Sequence, residues 1–453
     1  MENFFKLKEN NTDIRREVIA GITTFLAMAY IIAVNPDILS VAGMPKGAVL
    51  TATCLSAGLT TIGMGLYANL PFALASGMGL NAFFTFSVVK QMGVDWRVAL
   101  TAVFVEGVIF IILSVTNVRE AVVNGIPNTL KLAVTAGIGL FIAFIGFVNS
   151  GIVIQDPDTL VKMGNFTTPP VVISVIGIIV IVILSKKNVK GALLWGIVIS
   201  TLVAWGYALT NPKIAAEAYK IYLPNGIFKF ESLNSIAFKL DFSYITNPDK
   251  MWSFITIILT FLFVDFFDTV GTLVGVATKV GMVDEKGRVK NAGKALLVDA
   301  IGTTFGALVG TSTVTTYVES SAGVAEGGRT GLASVVTGIL FLVAMFLSPL
   351  FIAIPACATG PALIVVGFFM MENIVEIDFS DFTEGVPAFL TIALMPLTYS
   401  IGDGLTIGIL SYAILNLINN MLIRDEAKKK KVSIVVYVLA ILFTIKLIMT
   451  GLN

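Results

Sequence analysis

Long hydrophobic stretches separated by short polar segments run along the whole chain. Five stretches contain no Asp, Glu, Lys or Arg, namely 47–89, 132–155, 166–185, 191–212 and 330–371. Because a helix that crosses a bilayer needs about 20 apolar residues, the first and last stretches must each hold two passes or re-entrant segments. The pattern predicts helices over 16–35, 48–67, 76–90, 97–117, 128–149, 170–185, 190–209, 252–276, 292–309, 318–326, 329–348, 352–371, 384–398, 402–423 and 432–450.

Short matches between distant segments indicate that the chain has two related halves. Thr60-Thr61-Ile-Gly63 recurs 243 residues later as Thr303-Thr304-Phe-Gly306, and two further short matches follow in the same order. Each half then holds seven segments, and an odd number of segments inverts one half relative to the other, as in many secondary transporters. The helix predicted over 432–450 is an extra one beyond the fourteen.

The segment that follows each Thr-Thr-x-Gly helix is not typical of a spanning helix. Residues 312–318 are rich in β-branched side chains and predict a strand. Pro71 prevents a continuous helix through the matching segment 69–75. Irregular backbone at membrane depth needs internal hydrogen-bond partners. We therefore expect two short strands that pair at the midplane of the membrane, each leading into a half-helix.

Composition confirms the class of protein that the pattern predicts. Of the 453 residues, 56% are hydrophobic and 13% are charged, against roughly 25% charged in soluble domains. The chain is therefore expected to be a polytopic protein of the lipid bilayer. Most basic residues fall in loops that share a side with the N-terminus, which predicts a cytoplasmic N-terminus. The polar segment Met1–Arg16 has no features of a cleavable signal peptide, and the net charge of +1 favours no nucleic-acid partner.

Acidic residues inside the hydrophobic stretches are the first candidates for chemistry. Asp268 lies in a run of Phe and Val, and Glu319 follows an uncharged stretch. A carboxylate at membrane depth costs about 3 kcal/mol or more, so such residues usually line an ion, proton or substrate path. Asp265 can share a helix face with Asp268, and Asn81 occupies the place in the first half that matches Glu319. The chain has no histidine, so proton handling near neutral pH falls to carboxylates.

Each of these candidates also has a structural interpretation. Asp265 could bond a neighbouring helix, and Glu319 could be a helix cap. Glu106 and Asp299 are weaker candidates, since a structural hydrogen bond explains either of them. Cys54 and Cys357 are expected to be small buried hydrophobes. Four aromatic side chains could stack on a flat ring, although packing is their ordinary role: Phe25, Tyr30, Phe72 and Tyr317.

Enzyme signatures are not met. The segment from Gly287 to Lys294 is one residue too long for a phosphate-binding loop, and no Ser or Thr follows the Lys. Without histidine there is no His-based catalytic triad and no histidine metal site. Asp403 lies in a partial match to an intramembrane aspartyl protease motif, in which Ser400 replaces the first glycine. We expect no enzyme activity, no metal and no cofactor.

Four motifs resemble the xanthine/uracil permease superfamily, specifically its AzgA-like branch of hypoxanthine, guanine and adenine permeases. They are Arg16–Pro36 (REVIAGITTFLAMAYIIAVNP), Ala75–Phe84 (ASGMGLNAFF), Asp265–Thr272 (DFFDTVGT) and Thr315–Gly323 (TTYVESSAG). The resemblance extends to about residue 424. It implies fourteen segments in two inverted repeats, with a substrate-holding core domain over 1–127 and 251–350. A gate domain would cover 128–250 and 351–424, and residues 425–453 would form a basic loop and the extra helix.

The resemblance also implies roles for particular residues. In the superfamily, a carboxylate of segment 8 and one at the start of segment 10 clasp the edge of the nucleobase, which correspond to Asp268 and Glu319. Asn81 and Asp265 match further residues implicated in the purine branch. Thr272 stands where the uracil branch has a histidine, so proton coupling is left to Asp268, Asp265 and Glu319. Other expected substrate contacts are Thr272, Ser320, Phe72 and Thr24.

These observations predict a symporter of purine nucleobases and protons in the plasma membrane, and a homodimer is possible for the superfamily. A neutral nucleobase presents N–H donors that carboxylates accept and carbonyl groups that backbone N–H groups serve. Three alternatives stay open: a uracil or xanthine carrier, an anion exchanger of the same architecture, and a channel. The sequence does not rank the nucleobases.

Overall fold

The computed structural model describes residues 2–115, 126–279, 291–423 and 429–451. In the first half of the chain, α4 and α5 continue as π-helices over Met64–Ala68 and Phe83–Gln91. The elements of this half are α1 (Glu2–Phe5), α2 (Ile14–Met28), α3 (Ile31–Val41), α4 (Lys46–Gly63), β1 (Leu74–Ser76), α5 (Met78–Ala82), α6 (Trp96–Val115), α7 (Asn128–Asn149), β2 (Val153–Asp156), β3 (Leu160–Met163), α8 (Pro169–Lys186), α9 (Ala192–Thr210) and α10 (Pro212–Tyr219).

The second half repeats this order of helices and strand without a counterpart of the β2–β3 hairpin in its described part. A 3₁₀ turn over Glu372–Glu376 follows α17. The elements are α11 (Ser243–Thr246), α12 (Pro248–Lys279), α13 (Ala292–Val309), β4 (Val314–Thr316), α14 (Ser320–Ala325), α15 (Gly331–Ala344), α16 (Ser348–Ile352), α17 (Ala356–Met371), α18 (Phe382–Leu397), α19 (Ile401–Leu422) and α20 (Ile434–Gly451).

The architecture is that of a polytopic membrane protein. Within the described residues, nine helical stretches are long and apolar enough to cross a membrane, and three shorter apolar helices accompany them. The predicted all-α fold of fourteen segments in two inverted repeats, with an extra C-terminal helix, is confirmed. The first repeat runs from α2 to α9 and the second from α12 to α19.

The first segment differs from its prediction. Instead of one helix over 16–35, α2 ends at Met28 and α3 begins at Ile31 and continues to Val41. Pro36 has no N–H to donate to the carbonyl of Ile32, and its ring crowds that carbonyl. Just before it the chain tightens, because Ile32 N–H donates to Ala29 O at 3.1 Å and Ala33 N–H to Tyr30 O at 3.1 Å. The break places Tyr30 between two helices.

The two predicted strands pair with each other in the interior of the protein. β1 and β4 are antiparallel, with Ala75 opposite Thr315, and all six strand residues are buried. Backbone hydrogen bonds extend the ribbon at both ends: Tyr317 N–H donates to Ala73 O at 3.0 Å, and Gly77 N–H donates to Thr313 O at 2.9 Å. α5 and α14 therefore start on opposite ends of one ribbon, as the sequence predicts.

Side chains satisfy the outer edges of this two-stranded ribbon. The Thr61 hydroxyl accepts from Leu74 N–H at 2.9 Å and donates to Leu74 O at 3.0 Å. The Thr303 hydroxyl donates to Val314 O at 2.9 Å. The two helices thus serve their strands through equivalent threonines, but the equivalent pair is Thr61 and Thr303. This differs by one residue from the sequence match of Thr60 with Thr303, because the two helix-to-strand connections differ in length.

Helix packing separates the chain into two sets. α2 and α4 pack against α15, and α4 and α6 pack against α13. α7 packs against α17 and α18, while α8 and α9 pack against each other and against α17. Contacts between the sets are fewer and include α5 and α12 with α7, and α2 with α9.

Two features outside the spanning helices were not predicted. β2 and β3 form a short hairpin between α7 and α8. The connection between α10 and α11 lies across the ends of α4, α6 and α13. Its contacts are Thr51 Oγ1 to Glu231 O at 2.9 Å, Phe238 N–H to Leu308 O at 2.7 Å, and Asp241 N–H to Thr101 Oγ1 at 2.8 Å.

The extra C-terminal helix is attached to both sets. α20 packs on α19 and α12, and the Phe443 ring lies 5.9 Å from that of Phe263. Just before α20, the Lys430 ammonium contacts Asp381 at 2.5 Å and Glu384 at 2.9 Å at the start of α18. The bond from Lys430 holds the pKa of the Asp381 carboxyl below its usual range.

Candidate functional site

Glu319 lies between the end of β4 and the first turn of α14, where the sequence predicts it. One carboxylate oxygen accepts a hydrogen bond from the Tyr30 hydroxyl at 2.6 Å. The side chain is only partly buried, and the adjacent Val318 is 48% exposed. The break between α2 and α3 thus brings a hydroxyl donor to a partly buried acidic group.

Asn81 lies at the matching place in the first repeat, but it is fully buried. Its side-chain oxygen accepts a hydrogen bond from the Ser312 hydroxyl, and its amide N–H lies 3.5 Å from Ser76 O. The Tyr317 hydroxyl donates to the same carbonyl at 2.5 Å. Asn81 and Tyr317 therefore tie each half-helix region to the strand ribbon of the other repeat.

Asp265 and Asp299 meet on one threonine. The Thr269 hydroxyl oxygen lies 3.1 Å from Asp265 Oδ1 and 3.1 Å from Asp299 Oδ2. Asp299 Oδ1 accepts from Thr316 N–H on β4 at 3.1 Å. Both carboxylates and the threonine are 0% exposed. Asp299, which the sequence ranks as a weak candidate, is therefore part of the same polar cluster as Asp265.

A third buried acid contacts the segment just before β4. The Thr313 hydroxyl donates to Glu106 Oε2 at 3.1 Å, and Glu106 is fully buried. Nearby, Asn35 donates to Thr53 at 2.8 Å and to Thr311 at 3.0 Å. Hydroxyl and amide groups thus surround the ribbon, as expected for backbone that has left regular structure inside a membrane protein.

The remaining predicted site residues lie in different surroundings. The Ser320 hydroxyl accepts from Ala73 N–H at 2.9 Å and is buried. Thr24 on α2 is buried and lies against Gly323 of α14, where an added Cβ would approach the threonine hydroxyl within 2.0 Å. Phe72 is buried in an apolar cluster with residues of α4 and α12. Thr272 on α12 is partly buried.

Asp268, the strongest sequence candidate, lies in the helical backbone of α12. Its side chain falls outside the described part of the structure, so its role stays a prediction. Among the described residues, no group of three or more His, Cys, Asp and Glu side chains is arranged to hold a metal ion.

Several residues that organise the site were not found from the sequence. Ser312 and Thr269 are ordinary polar residues in a threonine-rich chain, although Thr269 follows Asp265 by one helical turn. Glu17 is fully buried, and its carboxylate accepts from the N–H groups of Arg329 at 2.8 Å and Ala333 at 3.2 Å. Glu17 thereby caps α15, and its only sequence signal is an acid at the edge of the first apolar stretch.

The arrangement offers two kinds of acidic group. Glu319 is partly buried and fixed by a hydroxyl donor, and its carboxylate can accept hydrogen bonds from the N–H groups of a small polar molecule. Asp265 and Asp299 are shielded from solvent and connected through a hydroxyl, so they can hold or pass a proton. The two kinds of acidic group are close to each other, because Asp299 bonds Thr316 of β4 and Glu319 follows Thr316 by three residues.

Comparisons with known proteins place this geometry in context. A model described as "Permease family", of the xanthine and uracil permeases, matches residues 15–406. The chain is 44% identical to the guanine/hypoxanthine permease PbuG of Bacillus subtilis (strain 168) over 439 residues, which cover 95% of this chain and 96% of the relative. It is 41% identical to the adenine permease AdeP of Escherichia coli (strain K12) over 450 residues, 99% of this chain and 96% of the relative.

A solved structure shares the fold at much lower identity. The transmembrane domain of the bicarbonate transporter BicA from a cyanobacterium superimposes with a TM-score of 0.66 at 14% identity. The match covers 86% of this chain and 97% of that domain. At this identity the likeness concerns the fold alone, which is the same inverted repeat of seven and seven segments.

Proposed function

Because the chain belongs to the xanthine/uracil permease family, in its purine branch, and is a transporter rather than an enzyme, we propose that it imports purine nucleobases together with protons. The substrates we propose are hypoxanthine, guanine and adenine, the bases after which the related permeases are named. Transport is secondary active, driven by the proton gradient, in the plasma membrane with the N-terminus in the cytoplasm.

The partly buried Glu319, held by the Tyr30 hydroxyl at the start of α14, is the observation that supports this proposal most directly. A purine presents ring N–H groups along one edge, and an ionised carboxylate is a strong acceptor for them. The Tyr30 hydroxyl, 2.6 Å away, donates to one carboxylate oxygen and fixes the side chain, and a carboxylate can accept further hydrogen bonds from a ligand. Ser320 and Thr24 line the first turns of α14 beside it, and Asp268 would complete the clasp from α12.

We propose that the two packing sets act as a core domain and a gate domain, a division that the helix contacts support. The core comprises residues 1–127 and 251–350, and the gate comprises 128–250 and 351–424. Polar contacts between them include contacts at the far end of each half-helix. Ser87 and Gln91 donate to Tyr399 O at 2.8 Å and Thr398 O at 3.1 Å, and Lys190 pairs with Glu326. Transport by movement of the core against the gate would break and remake such contacts. Dimer formation through the gate is a further expectation from the superfamily.

The alternatives differ in what they need at this position. An anion exchanger of the same fold should present a basic residue, or no acid, to its substrate, whereas Glu319 is an acid. A uracil or xanthine carrier would use the same clasp on a different ring. A channel would conduct without saturating at low substrate concentration.

Uptake of radiolabelled hypoxanthine into proteoliposomes tests the proposal. Uptake should saturate, follow an imposed inward proton gradient, and be competed by guanine and adenine more strongly than by uracil. Calorimetry on the purified protein should show that Glu319→Gln weakens binding roughly tenfold to a hundredfold, since a hydrogen bond to a charged group contributes about 1.5–3 kcal/mol. Glu326→Gln, at the other end of α14, is the matched control and should bind normally. Equal affinity in wild type and Glu319→Gln would refute the assignment.

A further inference from the structure

The far end of the first half-helix contacts the corner between α18 and α19. The half-helix α5 continues as a π-helix over Phe83–Gln91, a rare geometry that is frequent at functional sites. From this segment the Ser87 hydroxyl donates to Tyr399 O at 2.8 Å, and Gln91 Nε2 donates to Thr398 O at 3.1 Å. Gln91 is exposed, whereas Ser87 is 1% exposed. The bond from Ser87 is therefore shielded from solvent.

The two acceptor carbonyls belong to neither of the helices that they join. α18 ends at Leu397 and α19 begins at Ile401, so the carbonyls of Thr398 and Tyr399 lie in the corner between them. A backbone carbonyl away from water needs a hydrogen-bond partner. The proposed core supplies these partners to a corner of the proposed gate, although the two segments are far apart in sequence.

Tyr399 has a backbone conformation that is unusual for a tyrosine. Its φ is 53°, in the left-handed region that favours glycine and that glycine commonly occupies after the end of a helix. A glycine would form this turn more easily than a tyrosine does. The turn alone therefore does not explain the residue, and the contacts of the ring have to be considered.

The Tyr399 ring contacts both packing sets. Its centroid lies 6.3 Å from that of Phe86 on the π-helix. It also lies 6.1 Å from Phe141 and 5.2 Å from Phe144, both on α7. These separations fall in the range of favourable aromatic pairs. The ring thus connects the end of the half-helix to α7, and the carbonyl of the same residue accepts the bond from Ser87.

We propose that Tyr399 is a positioning residue that holds the end of the first half-helix against the gate, and that release of this contact opens that face of the protein to purine. The second part rests on the proposed function, and the first does not. With the N-terminus in the cytoplasm, α2 and α3 lead outward, α4 leads back, and the half-helix leads outward again to Gln91. The contact then lies at the extracellular face, where water can bond the two corner carbonyls after release.

The far end of the second half-helix is held differently. Glu326, directly after α14, forms an ion pair with Lys190, and their side chains are 34% and 44% exposed. Exposed ion pairs contribute little to stability. The contact at Tyr399 combines a buried hydrogen bond with ring packing, so we expect it to be the harder of these two contacts to separate.

Cross-linking of the purified protein tests the role of Tyr399 without any substrate. In a background with Cys54 and Cys357 replaced by alanine, Gln91→Cys and Thr398→Cys are joined by a short bifunctional thiol reagent that forms reducible disulfides. Tyr399→Gly keeps the left-handed turn and removes the ring. It should slow cross-linking about twofold to tenfold, since aromatic pairs contribute a free energy of this size. Tyr399→Phe should cross-link at the wild-type rate.

Tyr207→Ala is the matched control for this measurement. Tyr207 lies near the end of α9 that is remote from Lys190, and its ring is 6.2 Å from that of Tyr219. Its loss should leave the cross-linking rate unchanged. An unchanged rate in Tyr399→Gly would overturn the positioning role. An equal decrease in Tyr207→Ala would also overturn it, because the effect would then be a general loosening of the gate.

Uptake of radiolabelled hypoxanthine into proteoliposomes tests whether release of the contact is a step of transport. The cross-linked protein should bind hypoxanthine in calorimetry but take up none, and reduction of the cross-link should restore uptake. Uptake by the cross-linked protein at the rate of the reduced protein would overturn this step. If the reduced protein takes up no purine while Tyr399→Gly still slows cross-linking, the proposed function is refuted and the positioning role of Tyr399 stands.

Discussion

The outer edges of the two strands β1 and β4 are built from the same backbone pattern but different side chains. On β1, the Thr61 hydroxyl serves both the N–H and the carbonyl of Leu74. On β4, Thr303 serves the carbonyl of Val314, and a carboxylate, Asp299, takes the N–H of Thr316. One strand is held only by neutral groups, whereas the other is held in part by an acid.

The half-helices that follow the two strands differ in the same way, with a neutral side chain in the first repeat and an acidic side chain in the second. α5 begins after Gly77 and contains the fully buried Asn81, whose oxygen is bonded by Ser312. α14 begins after Glu319, which is partly exposed. The two repeats thus share the same backbone arrangement around the strands. The acidic residues Asp265, Asp299 and Glu319 all lie in the second repeat.

The largest effect is expected when the threonines that hold the two strands are compared. Thr61→Val leaves two backbone groups of Leu74 without this partner, and Thr303→Val leaves one group of Val314. An unsatisfied buried group costs about 1–3 kcal/mol, so Thr61→Val should lower the Tm of thermal unfolding more than Thr303→Val does. Tm values equal to that of the wild type in both variants would mean that the strands do not depend on these hydroxyls, and equally lowered values would refute the difference between the strands.

A smaller effect should distinguish a tyrosine that contributes to purine binding from a tyrosine that contributes only to stability. Tyr30→Phe frees the Glu319 carboxylate to adopt several rotamers, and immobilising a side chain on binding costs about 0.5–1.5 kcal/mol. Purine affinity measured by calorimetry should fall about twofold to tenfold. Tyr317→Phe removes the donor to Ser76 O and should reduce stability by about 1 kcal/mol with affinity unchanged. The assignment fails when Tyr317→Phe weakens binding as much as Tyr30→Phe does.

The smallest effect is expected at the far ends of the half-helices. Lys190 and Glu326 form an ion pair in which the side chains are 44% and 34% exposed, and such pairs contribute about 0–1 kcal/mol. Lys190→Ala, and Gln91→Ala at the end of the first half-helix, should each leave Tm and purine affinity nearly unchanged. A loss of Tm as large as that of Thr303→Val would show that these contacts support the frame.

Much of the frame can be predicted from the sequence. The β-branched run before Glu319 and the proline at position 71 predict two irregular segments, and the burial requirement for backbone groups predicts that they pair. Apart from the first segment, which is divided into α2 and α3, the apolar stretches predict the spanning helices to within a few residues. These features are local consequences of side-chain shape and of the low polarity of the bilayer.

Which acidic residue is partly exposed and which is fully buried could not be predicted in the same way. Glu319 and Asp265 both lie in apolar runs, yet one is partly exposed and the other is fully buried. Which one is accessible depends on the break after α2, which brings Tyr30 across to α14, and on Asp299, which comes from another helix. Such contacts join residues up to 289 positions apart, and a short sequence motif cannot predict them.

The pairing of β1 with β4 has a consequence for biosynthesis. About 240 residues separate the two strands, and at about 5–20 residues per second the ribosome needs roughly 12–50 seconds to make them. During that interval the first strand is in the membrane without its partner. The Thr61 hydroxyl, made earlier and only 13 residues away, can already satisfy both outward groups of Leu74. The first repeat thus contains its own hydrogen-bond partner for the outward N–H and C=O groups of Leu74. These groups can be satisfied in the bilayer before the second repeat is synthesised.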